Sequence, residues 1–474
     1  MRYAIRRLLF STSILSLALQ LIVLNAFGQF TKLHDFDIVP DGRNPHGSFV
    51  TAGTMFYGMT YQGGVNNLGT IFEIKPDGTG YAKIMEFAGS TNGSHPWGSL
   101  FFDGSFLYGM TEDGGVNNLG VIFKVKSDGT GFVKLFDFIN AENGYSPRGS
   151  LIFDGTFLYG VTSNGGTNSA GVIFKIKPDG TGFTKVLDFA GGTNGSVPVG
   201  DLIFDGTFLY GMTYMGGTSN LGTIFKIKSD GTGFSKLLDF VNTNGYYPKG
   251  SLISDGNFLY GMTYGGGTYG FGTVFKISPD GTGYNKMLDF AGVSNGGDGR
   301  NPEGSLNSDG AFLYGMTNYG GTNDTGTIFR INPNGTGYVK LLDLTFATNG
   351  VHPWGSLISD GTFLYGMTED GGAKGVGTIF KYAPEVTVSI EELTEGKRAS
   401  IKTFPNPVHE ELFIQVPSQS TLTMFDAMGR EVKSSALLME QTNRIETHDL
   451  STGNYILWIK SSSTIDYLKI SKVE

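Results

Sequence analysis

No cysteine occurs anywhere in the 474 residues, which excludes disulfides, thiolate metal sites and a lipid-modified N-terminal cysteine, while leaving export open. Charged residues make up only 16%, against about 25% in an ordinary soluble protein. The formal net charge is −9, and no run of Lys and Arg is present that could neutralise phosphates, so nucleic acid is excluded as a partner. Helical periodicity is missing from the first four-fifths of the chain. Nucleophile motifs, phosphate loops, HExxH pairs and EF-hand or RTX spacings are missing too, so no cofactor and no metal site is assigned. In their place the chain has 74 glycines and 13% aromatic residues. That combination excludes a disordered low-complexity chain and points to many short strands joined by tight turns.

The N-terminus reads as a leader. MRYAIRR is a basic segment, LLFSTSILSLALQLIVL an apolar one, and Ala26-Phe27-Gly28 places small residues where a signal peptidase cuts. Residues 1–28 are therefore expected to be a signal peptide. Its removal takes away Arg2, Arg6 and Arg7 and no acid, leaving a net charge of −12.

Tyr-Gly recurs at Tyr57, Tyr108, Tyr159, Tyr210, Tyr260, Tyr314 and Tyr365, with spacings of 51, 51, 51, 50, 54 and 51 residues. One unit, GDLIFDGTFLYGMTYMGGTSNLGTIFKIKSDGTGFSKLLDF at 200–240, contains four strand-like runs: DLIF, TFLYGMT, GTIFKIK and FSKLLDF. The first two meet at Asp205-Gly206, read here as a type I′ turn. The last two meet at the glycine turn SDGTG. Four strands in about 50 residues, seven times over, describe a β-propeller. The last unit stops after its third strand at 378–382. Its missing fourth strand stands at the start of the mature chain, where FTKLHDF at 30–36 matches FSKLLDF at 234–240. The expected fold is thus all-β: a seven-bladed β-propeller over 29–382 closed by an N-terminal strand, a linker over 383–403, and a small C-terminal β-sandwich over 404–474.

The Leu-Tyr-Gly strand, the following GG and GT[VI]FK give the repeats a resemblance to the GloVer tandem repeats of exported bacterial proteins, over roughly 30–382. The tail carries a second resemblance. Pro405-Asn406-Pro407, Phe425-Asp426 with Gly429-Arg430, Gly453-Asn454-Tyr455 and Lys469-Ile470 stand in the order of a type IX secretion C-terminal sorting domain. That resemblance implies Sec export, passage through the type IX outer-membrane translocon, and tail removal by its sortase with attachment to surface lipopolysaccharide or release. It makes the protein a cell-surface or secreted one. In NYILWIK, Tyr455, Leu457 and Ile459 alternate with Ile456 and Trp458, as in a half-buried strand. His409, His448 and Trp458 are read as structural or solvated.

A repeat chain allows each position to be compared with itself. The Asp-Gly turns, the GG pairs, the mid-strand glycine (Gly109, Gly211), read as letting neighbouring blades approach, and the acid before the last Phe (Asp35, Glu86, Asp137, Asp188, Asp239, Asp289, Asp343) recur and belong to the scaffold. The position between Pro and Gly varies instead: His46, Trp97, Arg148, Val199, Lys249, Glu303 and Trp354. These residues are expected to ring the mouth of the central channel. The phrases HPWG and TEDGG, at His95 and His352, put Trp97 and Trp354 on either side of His46, with Glu112-Asp113 and Glu369-Asp370 on adjacent loops. The expected site is two partly exposed indoles roughly 10–20 Å apart across a channel mouth, facing a charged arc of Arg148, Lys249 and Glu303. The reading that follows is a surface protein binding a glycan or other extracellular polymer. Two alternatives stay open: a polysaccharide lyase or hydrolase working through its carboxylates and histidines, and a scaffold for protein partners. An ancestral duplication of two repeats, with tryptophan merely packing over the channel, also accounts for the doubled phrase.

Overall fold

A computed structural model describes residues 29–139, 141–292, 297–384, 402–404, 408, 410–416, 419–426, 431–439, 442–460 and 465–472. The expected signal peptide and most of the linker lie outside these residues. The chain separates into two compact units, one spanning Gly28–Pro384 and the other holding the C-terminal strands.

The first unit is built from seven four-stranded antiparallel sheets. In the fourth repeat the strands are Ile203–Phe204, Phe208–Thr213, Thr223–Lys228 and Ser235–Asp239. FLYGMT and TIFKI are apolar on both faces, and both faces are buried because each sheet packs between two others. Seven core clusters follow, each shared by two successive repeats. One joins Tyr210, Met212 and Phe240 to Leu259 and Phe275; the cluster at the chain ends joins Tyr365, Met367 and Ile379 to Phe36, Phe56 and Phe72. The last sheet takes its fourth strand from the chain start. Gln29–Asp35 pairs antiparallel with Thr378–Ala383, Phe30 opposite Tyr382 and Asp35 opposite Thr378.

Three local expectations need correction. In the fourth repeat the first strand is two residues long, Ile203–Phe204, not four, because Asp201 leaves the ladder and donates its N–H to Ser251 Oγ of the next repeat. The Asp-Gly turn is not type I′: Gly206 has φ +96, but Asp205 does not take a positive φ. Its carboxylate instead accepts the N–H groups of Thr207 and Phe208 and the hydroxyl of Tyr210, so the side chain rather than the backbone makes the turn. The mid-strand glycine does not bring neighbouring sheets together either. A Cβ on Gly211 would lie 2.7 Å from Phe225 Cζ of the same sheet; the glycine leaves room for that ring to lie across the strand.

The acid before the last Phe is a strut in all seven repeats. It accepts the backbone N–H just after the GG pair, as Asp239 does from Thr218 and Asp35 does from Ala373 across the chain ends. In each repeat it also pairs with the lysine three residues earlier, as in Lys236–Asp239 at 2.8 Å.

Around the axis the Pro-X-Gly-Ser segments close a circle. Ser48 N donates to Ser99 Oγ, Ser99 N to Ser150 Oγ, Ser150 N to Asp201 Oδ1, and Asp201 N to Ser251 Oγ. Ser251, Ser305 and Ser356 continue it, the last returning to Ser48 at 2.7 Å. The preceding glycine is required because the next repeat's backbone lies against it. A Cβ on Gly250 would sit 2.2 Å from Gly304 O. We predict that Gly250→Ala costs about 1–3 kcal/mol or more, since backbone cannot step aside as a side chain can. Urea unfolding measures it, and an unchanged midpoint would mean the ring is looser than described.

The C-terminal unit has a three-stranded sheet (Lys402–Phe404, Glu411–Gln415, Thr442–Glu446) and a four-stranded one (Ser420–Asp426, Glu431–Leu438, Gly453–Lys460, Ile465–Lys472). Both contribute to one core of Leu412, Ile414, Leu422, Met424, Tyr455, Leu457, Ile459 and Ile470. Tyr455, Leu457 and Ile459 are thus the buried face of NYILWIK, and Tyr455 donates its hydroxyl to Ser451 O. Gly453 opens that strand, Asp426 closes its neighbour opposite Tyr455, and Lys469 stands opposite Ile456. Pro405, Asn406, Pro407, Gly429, Arg430 and His409 lie outside the described residues. His448 is exposed and Trp458 packs on Phe425.

Candidate functional site

The residue before each axial proline adopts φ between +54 and +57: Asn44, His95, Ser146, Val197, Tyr247, Asn301 and His352. Such a conformation costs a non-glycine residue energy and persists only where neighbours hold it. Here they do so through both backbone groups: His95 N donates to Leu68 O, and His95 O accepts from Glu112 N. This turn swings the next-but-one residue, the variable X of Pro-X-Gly, toward the axis.

Three of the seven X residues meet there with Tyr61. His46 lies between Tyr61 and Trp354, stacked on both with centroids 4.5 and 4.8 Å away. Trp97 meets Trp354 edge to face at 5.2 Å and His46 at 4.5 Å. Glu369 clamps the group, taking the Trp354 indole N–H at 2.6 Å and lying 3.2 Å from His46 Nε2. The expected separation of 10–20 Å is therefore wrong. The glycine and serine circle draws the seven segments so close that their side chains meet on the axis instead of facing one another across a channel. Both indoles are partly exposed, but their faces are taken: Arg148 lies 4.8 Å over Trp97, and Lys249 lies 5.0 Å over Trp354.

The charged arc is corrected as well. Arg148 and Lys249 reach back over the aromatic rings, so the site has no separate apolar and polar walls. Arg148 also binds Glu112 through Nε at 2.9 Å, and Tyr61 donates its hydroxyl to the same carboxylate. Lys249 pairs with Glu303 at 2.8 Å. His95 and His352 face Asp113 and Asp370, at 3.1 and 3.3 Å, outside the cavity lining; Asn44 holds Asp370 from the other side. Among the described residues no group of three or more His, Asp or Glu comes together as a metal site would require.

Six of the seven X residues are bulky, and the seventh is Val199. A cavity of about 300 Å³ is lined by all seven X residues and, apart from the glycines and serines of its floor, takes its remaining side chains from the fourth repeat, beside Val199. Arg148 and Lys249 flank it from the repeats on either side, and Val197, Tyr214 and Met215 form its back. Trp97, Trp354, His46 and Glu303 stand opposite, and the serine circle with Asp201 lines its floor. Burial pushes the Asp201 carboxyl above the usual carboxylate range, against the pull of Ser150 and Ser251. Burial raises Glu303 too, with Lys249 opposing. One Glu303 oxygen and His46 Nδ1 are buried without a hydrogen-bond partner. Tyr61 is driven well above the normal phenol range by burial first and then by Glu112.

Sequence comparison singled out the X position but missed Tyr61, Tyr214 and Tyr264, which stand where Glu112 and Glu369 stand in other repeats. Aligning that position, just after the Thr of LYGMT, would have found them. Asp201 was also legible as the one acid in a column of serines.

The repeats match the Gloeobacter/Verrucomicrobia repeat family over 22–157, 153–311 and 293–403, and residues 402–472 match the secretion system C-terminal sorting domain. A search of curated proteins found no match. Among solved structures, the extracellular domain of a one-component system from B. thetaiotaomicron is 13% identical with a TM-score of 0.50; the alignment covers 94% of this chain and 58% of that one. A protein described as a 6-phosphogluconolactonase from Bacteroides uniformis is 14% identical with a TM-score of 0.43, over 65% of this chain and 85% of that one. At 13% identity the first likeness speaks for the fold alone, in keeping with the all-β sheets, and for nothing about activity. Residues matched over most of the chain make the protein a member of the Gloeobacter/Verrucomicrobia repeat family, sent to the cell surface or the extracellular space by a type IX secretion sorting domain.

Proposed function

We propose that this protein is a binding module: a seven-bladed propeller, exported by a cleaved leader over 1–28, that holds the end of a glycan in the cavity at Val199. The carrying observation is that cavity. All seven repeats line it, with Asp201 in place of serine in the fourth, and only the fourth adds further lining residues, Val197, Tyr214 and Met215, beside Val199, the smallest of the seven X residues. At about 300 Å³ the space is at the lower end of small-molecule pockets, enough for one or two sugar rings and too small for a long chain. Its furnishing suits a sugar: apolar surface from Val197, Val199 and Met215, a tyrosine, and serine hydroxyls below. Stacking on the open faces of Trp97 and Trp354, the simplest use of two tryptophans, is not part of the reading, since Arg148 and Lys249 already cover them.

Calorimetric titration of the secreted protein with a panel of neutral and acidic oligosaccharides tests it, with the products analysed after long incubation. Saturable binding with the sugars recovered intact is expected. Cleaved sugars would replace the binding reading with an enzymatic one, and absence of binding across the panel would remove it.

A further inference from the structure

Resting on that reading, we propose that the sugar is acidic and that its carboxylate lies between the Arg148 guanidinium and the Lys249 ammonium, above Val199. Among the described residues these are the only two Lys or Arg side chains lining the cavity, and they stand on the two repeats that flank the fourth. The carboxylate that balances Arg148, Glu112, does not line the cavity. Aromatic rings lie against both cations: Trp97 against Arg148, Trp354 and Tyr264 against Lys249. Such packing fixes long side chains in place and thins the water around them, so an arriving anion is attracted more strongly than at an open surface.

Two carboxyls also line the cavity, and neither opposes an anion as an ordinary surface acid would. Asp201 is enclosed by the floor, and burial favours its neutral form, which can donate a hydrogen bond. Glu303 holds Lys249 with one oxygen and leaves the other without a partner. An anion that shares the Lys249 charge weakens the pull by which Lys249 opposes the burial that raises Glu303, so protonation of Glu303 is favoured when the anion binds. The other groups acting on it, Glu369 by its charge and Tyr214 and Tyr264 nearby, do not replace that cation. The sign follows: protonated Glu303 favours the bound state, so acidic ligands should bind more tightly as pH falls, until their own carboxylates titrate.

The test compares trimers of galacturonate, glucuronate and mannuronate with their methyl esters, which keep the shape and remove the charge. For at least one sugar the acid should bind roughly tenfold or more tightly than its ester at low salt, with the advantage shrinking as salt is added. Binding heats should depend on buffer ionisation in the sense of proton uptake, and affinity should rise from pH 7.5 to 5.5. Arg148→Gln and Lys249→Gln should each weaken acid binding about tenfold more than they alter ester binding, and Lys249→Arg should retain most of the acid binding. If a variant melts early, the acid–ester comparison in the unmodified protein decides. Acid and ester binding alike would overturn the acidic class and leave glycan binding standing. No binding by any acidic or neutral sugar would overturn both.

Discussion

A chain lacking residues 29–36 should show no cooperative unfolding transition and should associate through its open edge. The deleted segment holds the fourth strand of the last sheet, which pairs with Thr378–Ala383 from Gln29 to Asp35 with a bulge between Lys32 and His34. It also carries Phe36, fully buried between the last repeat and the first, edge-on to Phe72 at 5.3 Å. Phe30 stacks on Phe380, and His34 on Tyr81 at 3.8 Å. Loss of one buried Phe alone costs about 3–5 kcal/mol, comparable with the whole stability of a domain at the lower end of 5–15 kcal/mol. The strand at 378–383 would then present unpaired N–H and C=O groups, a template for pairing with another chain. Thermal scans and size-exclusion chromatography check this; a monomer melting within a few degrees of the intact protein would show that the ring does not depend on its closing strand. A peptide of residues 29–36 added in trans should restore part of the transition.

Truncation before Phe404 should have the opposite pattern, with stability retained and destination lost. The repeat unit keeps all seven inter-repeat clusters, and the sorting unit has a separate core around Leu412, Met424 and Leu457. The truncated protein should therefore melt like the intact one and yet be missing from the surface and medium of its native host, accumulating inside the envelope. Normal delivery of the truncated chain would contradict the role given to the tail, and a large fall in melting temperature would show that the two units stabilise each other.

The sheets were legible because a repeat protein writes its local rules seven times. The Tyr-Gly period, the four strand-like runs of each unit and the displaced FTKLHDF each encode contacts within a sheet or with its neighbour, and the strand pairings follow them. Glycine was harder to read. Its absence of a side chain says that something lies close, but not whether it is Phe225 of the same sheet or Gly304 of the next repeat. The site was legible as a column and not as a geometry. His46, Trp97, Arg148, Lys249, Glu303 and Trp354 were found by their variability. That Trp97 would meet Trp354 at 5.2 Å depends on the radius at which seven segments close, which no single repeat encodes. Val199 carried no chemical signal at all. Its importance is the space it leaves, visible only once its bulkier neighbours are in place.

That space can be filled by a single substitution. Val199→Trp should fill the cavity with an indole while leaving the glycine and serine circle, the inter-sheet cores and the closing strand untouched. The variant should melt within a few degrees of the unmodified protein and lose oligosaccharide binding in the same calorimetric titration by which that protein is measured. Binding of undiminished affinity by a folded Val199→Trp protein would contradict the role given to this cavity and move the site off the axis.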